Sequence, residues 1–192
     1  MTFVIAGLGN PGPAYAGTRH NIGAMVVAEL AAHVSVKLSR HKKAFAAVGQ
    51  SHIGLPGSQQ GVVLAIPLCY MNESGGPIKS ILDFYDVAPE NLIVIHDELD
   101  IDFASIRLKF GGGDNGHNGL KSIKKSIGSG EYFRARVGIG RPVGHQDPAD
   151  FVLSTFSSPE RKELSEVIGR CCDAIGSLIT DGLDTAQSKF NS

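Results

Sequence analysis

Four short stretches of this chain carry the residue types that hydrolytic chemistry needs. The first, "GLGNPGPAYAGTRHN" (residues 7–21), holds Asn10 and His20. The second, "CYMNESG" (69–75), sets Asn72 behind Tyr70 and Met71. The third, "VIHDELD" (94–100), places His96, Asp97 and Glu98 at the end of an apolar run. The fourth, "GGGDNGHNG" (111–119), carries Asn115, His117 and Asn118. A histidine beside an aspartate is a base with its orienter: the carboxylate accepts one ring N–H, and the other nitrogen is left to take a proton from water. Such general-base help is worth roughly 10²–10⁴-fold in rate. Asparagine NH2 groups can stabilise the oxyanion that forms. A lone asparagine in a glycine-rich loop more often serves the turn itself, so only convergence of the four stretches on one crevice makes a site. No serine sits in a G-x-S-x-G elbow. Cys69 lacks an activating neighbour and reads as a small buried hydrophobe. Direct attack by water is therefore favoured over a covalent intermediate.

Other chemistries fit less well. Gly7-Leu8-Gly9-Asn10-Pro11-Gly12 matches the G-x-G-x-x-G pattern of dinucleotide loops. In that motif the third glycine opens a helix whose N-terminus receives a pyrophosphate. Here Pro13 follows Gly12, and helical periodicity begins only near Asn21. Glu29 stands at the spacing expected of a ribose-binding acid but falls inside the helix. The glycines instead read as freedom for a tight turn beside a bound ester, stiffened by Pro11 and Pro13. "GGGDNGHNGLKS" lacks the Gly-Lys-Ser/Thr ending of a P-loop. His20, His96, Asp97 and His117 are possible metal ligands by type, but no H-E-x-x-H or comparable spacing supports them.

Alternating strands and helices must position these stretches. "TFVIAG" (2–7) reads as a buried strand and "NIGAMVVAELAAHV" (21–34) as a helix. "AFAAVGQSHI" and "GVVLAIP" flank turn chemistry and form a hairpin. A helix over 74–87, a strand over 91–100, the strand "SIRLKF", a helix over about 119–127 and the strand "YFRARVGIG" follow. A mostly looped segment with a short helix at "DPADFVL" leads to one long final helix, from Ser158 to about residue 180. This order predicts a single α/β domain over residues 1–192, with a twisted mixed, mostly parallel β-sheet flanked by helices on both faces. Ligands of such sheets bind beyond the carboxyl ends of the strands, where loops 8–20, 68–75, 96–100 and 111–118 are expected.

Composition sets outer bounds. At 192 residues and 42% hydrophobic, the chain can bury a core without disulfide or metal staples. No apolar run approaches the ~20 residues of a membrane span, and no signal peptide is expected. Three cysteines, two of them adjacent, fit a reducing compartment and a cytoplasmic protein. The net charge of −1 conceals basic clusters at 37–43 and 107–141, either solvated surface or a face for a polyanion.

Together with "FRARVGIGRP" (133–142), the four stretches resemble those of the bacterial peptidyl-tRNA hydrolase family, colinearly from about residue 3 to 157. The final helix agrees only in general character. The resemblance implies hydrolysis of the ester between a peptide and the 3′ ribose of tRNA, by a cytoplasmic, monomeric enzyme without metal or cofactor. It implies His20 as general base, Asp97 as its orienter, and Asn10 as a catalytic contact to the peptide. Asn72, His117 and Asn118 are implied in substrate binding. Tyr15, Tyr70 and Met71 are implied to line the site for the terminal nucleotide and peptide, and Lys109 and Arg136 to hold the tRNA 5′ phosphate. Two departures stand out: Cys69 where threonine is common, and the acidic Asp114 beside a site for RNA. A different class, a non-catalytic RNA-binding module, would have no use for a base and its orienter in one crevice.

Overall fold

The computed structural model describes residues 1–192. Seven strands, β1 (Thr2–Gly7), β2 (Ser39–Arg40), β3 (Ala46–Ile53), β4 (Gln60–Pro67), β5 (Leu92–Glu98), β6 (Ile106–Phe110) and β7 (Phe133–Gly138), form one sheet in the order β2-β3-β4-β1-β5-β7-β6. The central run β4-β1-β5-β7 is parallel, while β3 and β6 are antiparallel to their neighbours. β1 and β5 read as continuous apolar runs because both their faces are covered; every residue of β5, including His96, Asp97 and Glu98, is buried.

Helices α1 (Ile22–His33) and α5 (Ser158–Asp181) cover one face, and α2 (Gly75–Tyr85) and α3 (Asn118–Ile127) cover the other. Ile22, Val26, Val27 and Leu30 of α1 enter the first core with Cys171, Ile175 and Leu178 of α5. Ile78, Ile81 and Leu82 of α2 join Leu120 and Ile123 of α3 in the second. Burial pushes the Cys171 thiol up, and that of Cys172 up to about 12, so both behave as core hydrophobes. Start and stop signals do what their chemistry dictates. Ser157 and Glu160 close a reciprocal capping box on α5. Gly128, at φ 72°, ends α3.

Three elements differ from the sequence expectation. The final helix does not end the chain: Gly182, at φ 86°, breaks it, and α6 (Leu183–Phe190) folds back. The tail then seals the sheet edge, where Asn191 Nδ2 donates to Leu108 O (3.2 Å), Asn191 Oδ1 accepts from Leu108 N–H (2.7 Å), and Gln187 Nε2 donates to Leu108 O (3.0 Å). Strand β2 was too short to read from periodicity. The loop 111–117 does not follow a strand that ends at the site. Antiparallel β6 finishes at the far end, with Phe110 opposite Phe133 at the start of β7, so the loop must climb back. Arg134, buried on β7, holds it by donating to the carbonyls of Gly112 (2.7 Å) and Gly113. The short helix α4 (Pro148–Val152), capped by Asp147, lies over the same end of the sheet.

Candidate active site

β1 ends between β4 on one side and β5 on the other, so the chain reverses its winding there and leaves a crevice beyond the strand ends. Asp97 is the penultimate residue of β5. Side chains alternate along a strand, so Asp97 points toward the α1 side with Ile93 and Ile95, while His96 and Glu98 point the other way. His20 lies in the single 3₁₀ turn Arg19–Asn21 that precedes α1. Its neighbour Arg19 fixes that turn: the guanidinium bonds Ser154 Oγ, Thr155 O and Glu160 (2.7 Å), and stacks 4.2 Å over the Phe151 ring. Sequence reading missed Arg19. A basic residue beside the candidate base was the signal available.

The geometry brings three of the ring and carboxylate groups together. His20 Nδ1 lies 2.9 Å from each oxygen of Asp97, and His117 Nε2 lies 2.8 Å from Oδ1. The proton positions follow from the bonds. His117 Nδ1 accepts the Gly119 N–H (3.1 Å), capping α3, so its proton sits on Nε2 and is donated to Asp97. Burial would push the Asp97 carboxyl up, but its electrostatic and hydrogen-bond interactions with the His117 and His20 rings outweigh it and hold the group well below the usual carboxylate range. The ionised carboxylate can only accept, so His20 Nδ1 donates to it. Nε2 of His20, which has no partner in the chain, keeps its lone pair on the wall of the crevice.

His20, Asp97 and His117 also satisfy the ligand-type rule for a metal, their donor atoms lying within 4.8 Å of one another. The hydrogen bonds argue against that use. The Nε2 that faces Asp97 is protonated on His117, and a metal needs a lone pair there.

The crevice has a volume of about 480 Å³. Asn10, Tyr70, Met71, Asn72 and Asn118 line it with the His20–Asp97–His117 cluster, and Pro148, Ala149, Val152 and Leu153 form an apolar wall on α4. Asn10 is oriented by its neighbours: Oδ1 accepts the Met71 N–H at 2.7 Å, which leaves its NH2 as the group free to donate. The Asn21 carboxamide pins the Asn10 backbone from both sides, accepting from Asn10 N–H and donating to Asn10 O, each at 2.9 Å. Asn72 and Asn118 are exposed, and their carboxamides make no hydrogen bond within the chain. Tyr15 stands outside the crevice lining and meets Tyr70 edge-on, with centroids 6.2 Å apart. Asp114, unexplained by sequence, builds the turn: its Oδ1 accepts Gly116 N–H and its carbonyl accepts His117 N–H. Asn115 then adopts φ 47° and donates to Glu98 (2.8 Å) and Asp100 (2.7 Å).

The glycines of the first stretch do something other than approach a ligand. A Cβ on Gly7 would lie 2.2 Å from Gly23 O, and one on Gly9 would lie 2.9 Å from the Asn21 carboxamide. They admit α1 and Asn21 to the strand end.

Lys109 and Arg136 do not reach this crevice. They line a second cavity of about 280 Å³ with His96, Gly113 and Arg134, behind a wall that Glu98 and Asn115 share with the first. Arg107, Lys109, Arg134 and Arg136 alternate with apolar residues on the antiparallel pair β6–β7, which sets all four on one sheet face. That alternation was legible in "SIRLKF" and "FRARVG". Burial pulls the Arg136 guanidinium below its ordinary value, and it makes no hydrogen bond within the chain. His96, on the wall of the second cavity but almost fully buried, is pushed down to about 3 by burial and by His117.

The sequence model of the peptidyl-tRNA hydrolase family matches residues 4–192. The peptidyl-tRNA hydrolase of Streptomyces coelicolor is 53% identical over 191 residues, covering 99% of this chain and 95% of that protein. That of Mycobacterium marinum is 50% identical over 188 residues, covering 98% and 96%. The crystal structure of peptidyl-tRNA hydrolase from Acinetobacter baumannii superposes with a TM-score of 0.88 at 34% identity, over 100% of this chain and 95% of that one. Sequence, fold and relatives agree that this chain belongs to the peptidyl-tRNA hydrolase family.

Proposed function

We propose that this peptidyl-tRNA hydrolase cleaves the ester between an N-blocked peptide and the 3′ ribose of tRNA by direct attack of water, with His20 as the general base. The observation that carries the reading is the shared Asp97 carboxylate, which fixes His20 with its proton on Nδ1 and its lone pair toward the crevice. Water gives its proton to His20 Nε2 as its oxygen bonds the ester carbon. The carbonyl electrons move onto oxygen, where the Asn10 NH2 is placed to donate. One such donor is worth roughly 3 kcal/mol in related oxyanion sites. Collapse breaks the bond to the ribose 3′ oxygen, which takes back the proton held by His20. Asp97 stabilises the imidazolium in between and stays ionised. An ester is activated relative to an amide, so one base and one oxyanion donor suffice.

Asn72 and Asn118 offer free carboxamides to the peptide backbone and ribose. Tyr70, with Tyr15 behind it, offers a platform for the terminal base, and Met71 packs beneath. The apolar wall of α4 faces the peptide. Lys109 and Arg136 suit the tRNA 5′ phosphate, since both are cations without a carboxylate partner. The chain acts as a cytoplasmic monomer and recycles tRNA from peptidyl-tRNA released by stalled ribosomes. Binding that rests on phosphates weakens with salt, and recognition follows the shape of the acceptor end more than base sequence.

The test compares N-acetyl-aminoacyl-tRNA with unblocked aminoacyl-tRNA, in EDTA, for the parent and His20→Ala. The parent turns over only the blocked ester. His20→Ala loses at least about a thousandfold in kcat and keeps its affinity for tRNA. Near-parental turnover by the variant refutes the assignment of the base.

A further inference from the structure

The basic cluster at 37–43 belongs neither to the crevice nor to the Lys109–Arg136 cavity. It lines a groove of about 740 Å³ between the β2–β3 edge of the sheet and the end of α2. Lys37, Arg40, Lys42 and Lys43 are all exposed, and none forms an ion pair. No Asp or Glu occurs anywhere between Glu29 and Glu73. Asp83 and Asp86 flank the lining residues Phe84 and Tyr85 at the end of α2; Asp83 is engaged by Lys79 at 3.1 Å, and neither acid pairs with the four cations. A chain of net charge −1 thus concentrates four unopposed cations in seven residues.

The groove is built, not frayed. His41 Nδ1 accepts the N–H groups of Lys43 (3.2 Å) and Ala44 (2.9 Å), fixing the turn that presents Arg40, Lys42 and Lys43. Gly49 lets the 36–38 segment lie against β3, since a Cβ there would meet Val36 at 2.3 Å. Two phenylalanines, Phe45 and Phe84, are each 49% exposed beside the cations. Arg40 sits 5.0 Å over the Phe45 ring, Lys43 sits 5.5 Å over Phe84, and His41 meets Phe84 edge-on at 4.6 Å.

We propose that this groove is a second RNA-binding surface, which holds a single-stranded or flexible segment through its phosphates and through stacking on Phe45 and Phe84. Cations that track a backbone, interleaved with exposed aromatic rings, are what sequence-tolerant RNA binding requires. Cations alone would serve to keep an open sheet edge soluble, but that role gives no reason to expose two phenylalanines among them. The groove and the Lys109–Arg136 cavity lie at opposite edges of a seven-stranded sheet, roughly 25–30 Å apart at the usual strand spacing. A short RNA segment held in one therefore does not occupy the other. Its effect is to raise the rate of encounter with tRNA at low salt without touching the chemistry.

The experiment uses a fluorescent oligouridylate of about 5 nucleotides with a 5′ hydroxyl, too short to span both sites, titrated into the full chain at several salt concentrations. The fourfold variant Lys37→Gln/Arg40→Gln/Lys42→Gln/Lys43→Gln should bind at least about tenfold more weakly near 50 mM salt, with a log–log salt slope shallower by about 3, from four lost phosphate contacts. Phe45→Ala/Phe84→Ala keeps the charges and, with two stacking platforms gone, should lose at least about thirtyfold. Lys109→Gln/Arg136→Gln should bind the oligonucleotide like the parent. Ester hydrolysis of a short N-acetyl-aminoacyl-oligonucleotide substrate by the fourfold variant should be unchanged, which also certifies its fold. Unaltered affinity and slope in the fourfold variant overturn the proposal. So does a fourfold variant that self-associates while still binding RNA, which identifies the charges as edge protection. Equal competition by polyglutamate, with no effect of the phenylalanine pair, overturns RNA in favour of a generic anion surface.

Discussion

Replacing Asp97 by asparagine changes one oxygen into an NH2 and almost nothing in volume, yet the structure gives it a large and specific consequence. Asp97 accepts from two rings at once, His20 Nδ1 at 2.9 Å and His117 Nε2 at 2.8 Å. His117 cannot change its tautomer cheaply, because its Nδ1 is committed to the Gly119 N–H at 3.1 Å. In the Asp97→Asn variant the single carboxamide oxygen therefore goes to His117, and the NH2 faces His20 Nδ1. That nitrogen must become an acceptor, which moves the His20 proton to Nε2, the atom that should take the proton of water. A base lost through the wrong tautomer in a serine protease triad costs about 10⁴-fold in kcat, equivalent to about 5.5 kcal/mol at about 1.4 kcal/mol per decade. The loss should fall on kcat, with the tRNA dissociation constant within about threefold of the parent, since Asp97 is 3% exposed and presents little to the ligand. Single-turnover hydrolysis of N-acetyl-aminoacyl-tRNA, beside tRNA binding and a melting curve, measures each quantity separately. An Asp97→Asn enzyme within tenfold of parental kcat would show that the carboxylate does not select the tautomer. His117→Phe is the companion variant: it removes one donor but leaves His20 its acceptor, so it should cost far less than Asp97→Asn.

Other predictions follow from Asn10, His96 and the C-terminal tail. Asn10→Asp keeps an acceptor for Met71 N–H but loses the donor, so kcat should fall by about 10²–10³ with a melting temperature near parental; Asn10→Ala should lose stability as well, about 1–3 kcal/mol for the stranded amide. His96 is pushed down to about 3, below its unfolded value near 6.5. Between those pH values the unfolded chain binds a proton that the folded chain refuses, so this group makes stability rise with pH. Urea denaturation should show the stability gap between parent and His96→Gln changing by up to about 1.4 kcal/mol per pH unit across that window, and a constant gap would refute the assignment. Removing residues 183–192 uncovers the edge of β6 that Asn191 and Gln187 now occupy, so light scattering should report self-association while kcat per folded chain is retained.

What the sequence disclosed and what it hid divide along a physical line. Types and local order were legible: the buried runs of β1 and β5, the periodicity of α1 and α2, and the polar residues at 10, 20, 72, 97, 117 and 118. The mixed sheet with helices on both faces follows from that order. Hidden were features that depend on direction or distance. His20 and Asp97 are 77 positions apart, and no local pattern reports that they meet. The second partner of Asp97, His117, reads from sequence as one more ligand-facing polar group. Its role depends on the antiparallel course of β6, which sends loop 111–117 back along the sheet under the grip of Arg134. The end of the long helix near 180 was legible, but the short helix Leu183–Phe190 beyond Gly182 was not, because its fold back onto the edge of β6 depends on contacts with Leu108, 79 to 83 positions away.

The glycine pattern at the first turn shows how one scaffold feature serves different chemistry. In a dinucleotide fold, glycines bring the helix close to the strand and hand its N-terminus to a pyrophosphate. Here the close approach is kept by Gly7 and Gly23: a Cβ on Gly23 would lie 2.1 Å from Ile95 O. The space at the helix start is not left for an anion. The chain inserts residues 8–21 between β1 and α1, and the turn Arg19–Asn21 occupies the approach to the helix N-terminus. His20 from that turn meets Asp97 from the adjoining strand, and Asn21 from the same turn locks Asn10. Tight strand–helix packing thus gives His20 a rigid seat, while the inserted residues supply the proposed base and the proposed donor. Asn21→Ala would test the division, because it keeps the glycines and the strand–helix packing but removes both bonds that lock the Asn10 backbone, so it should preserve folding and lower turnover by freeing Asn10 relative to His20.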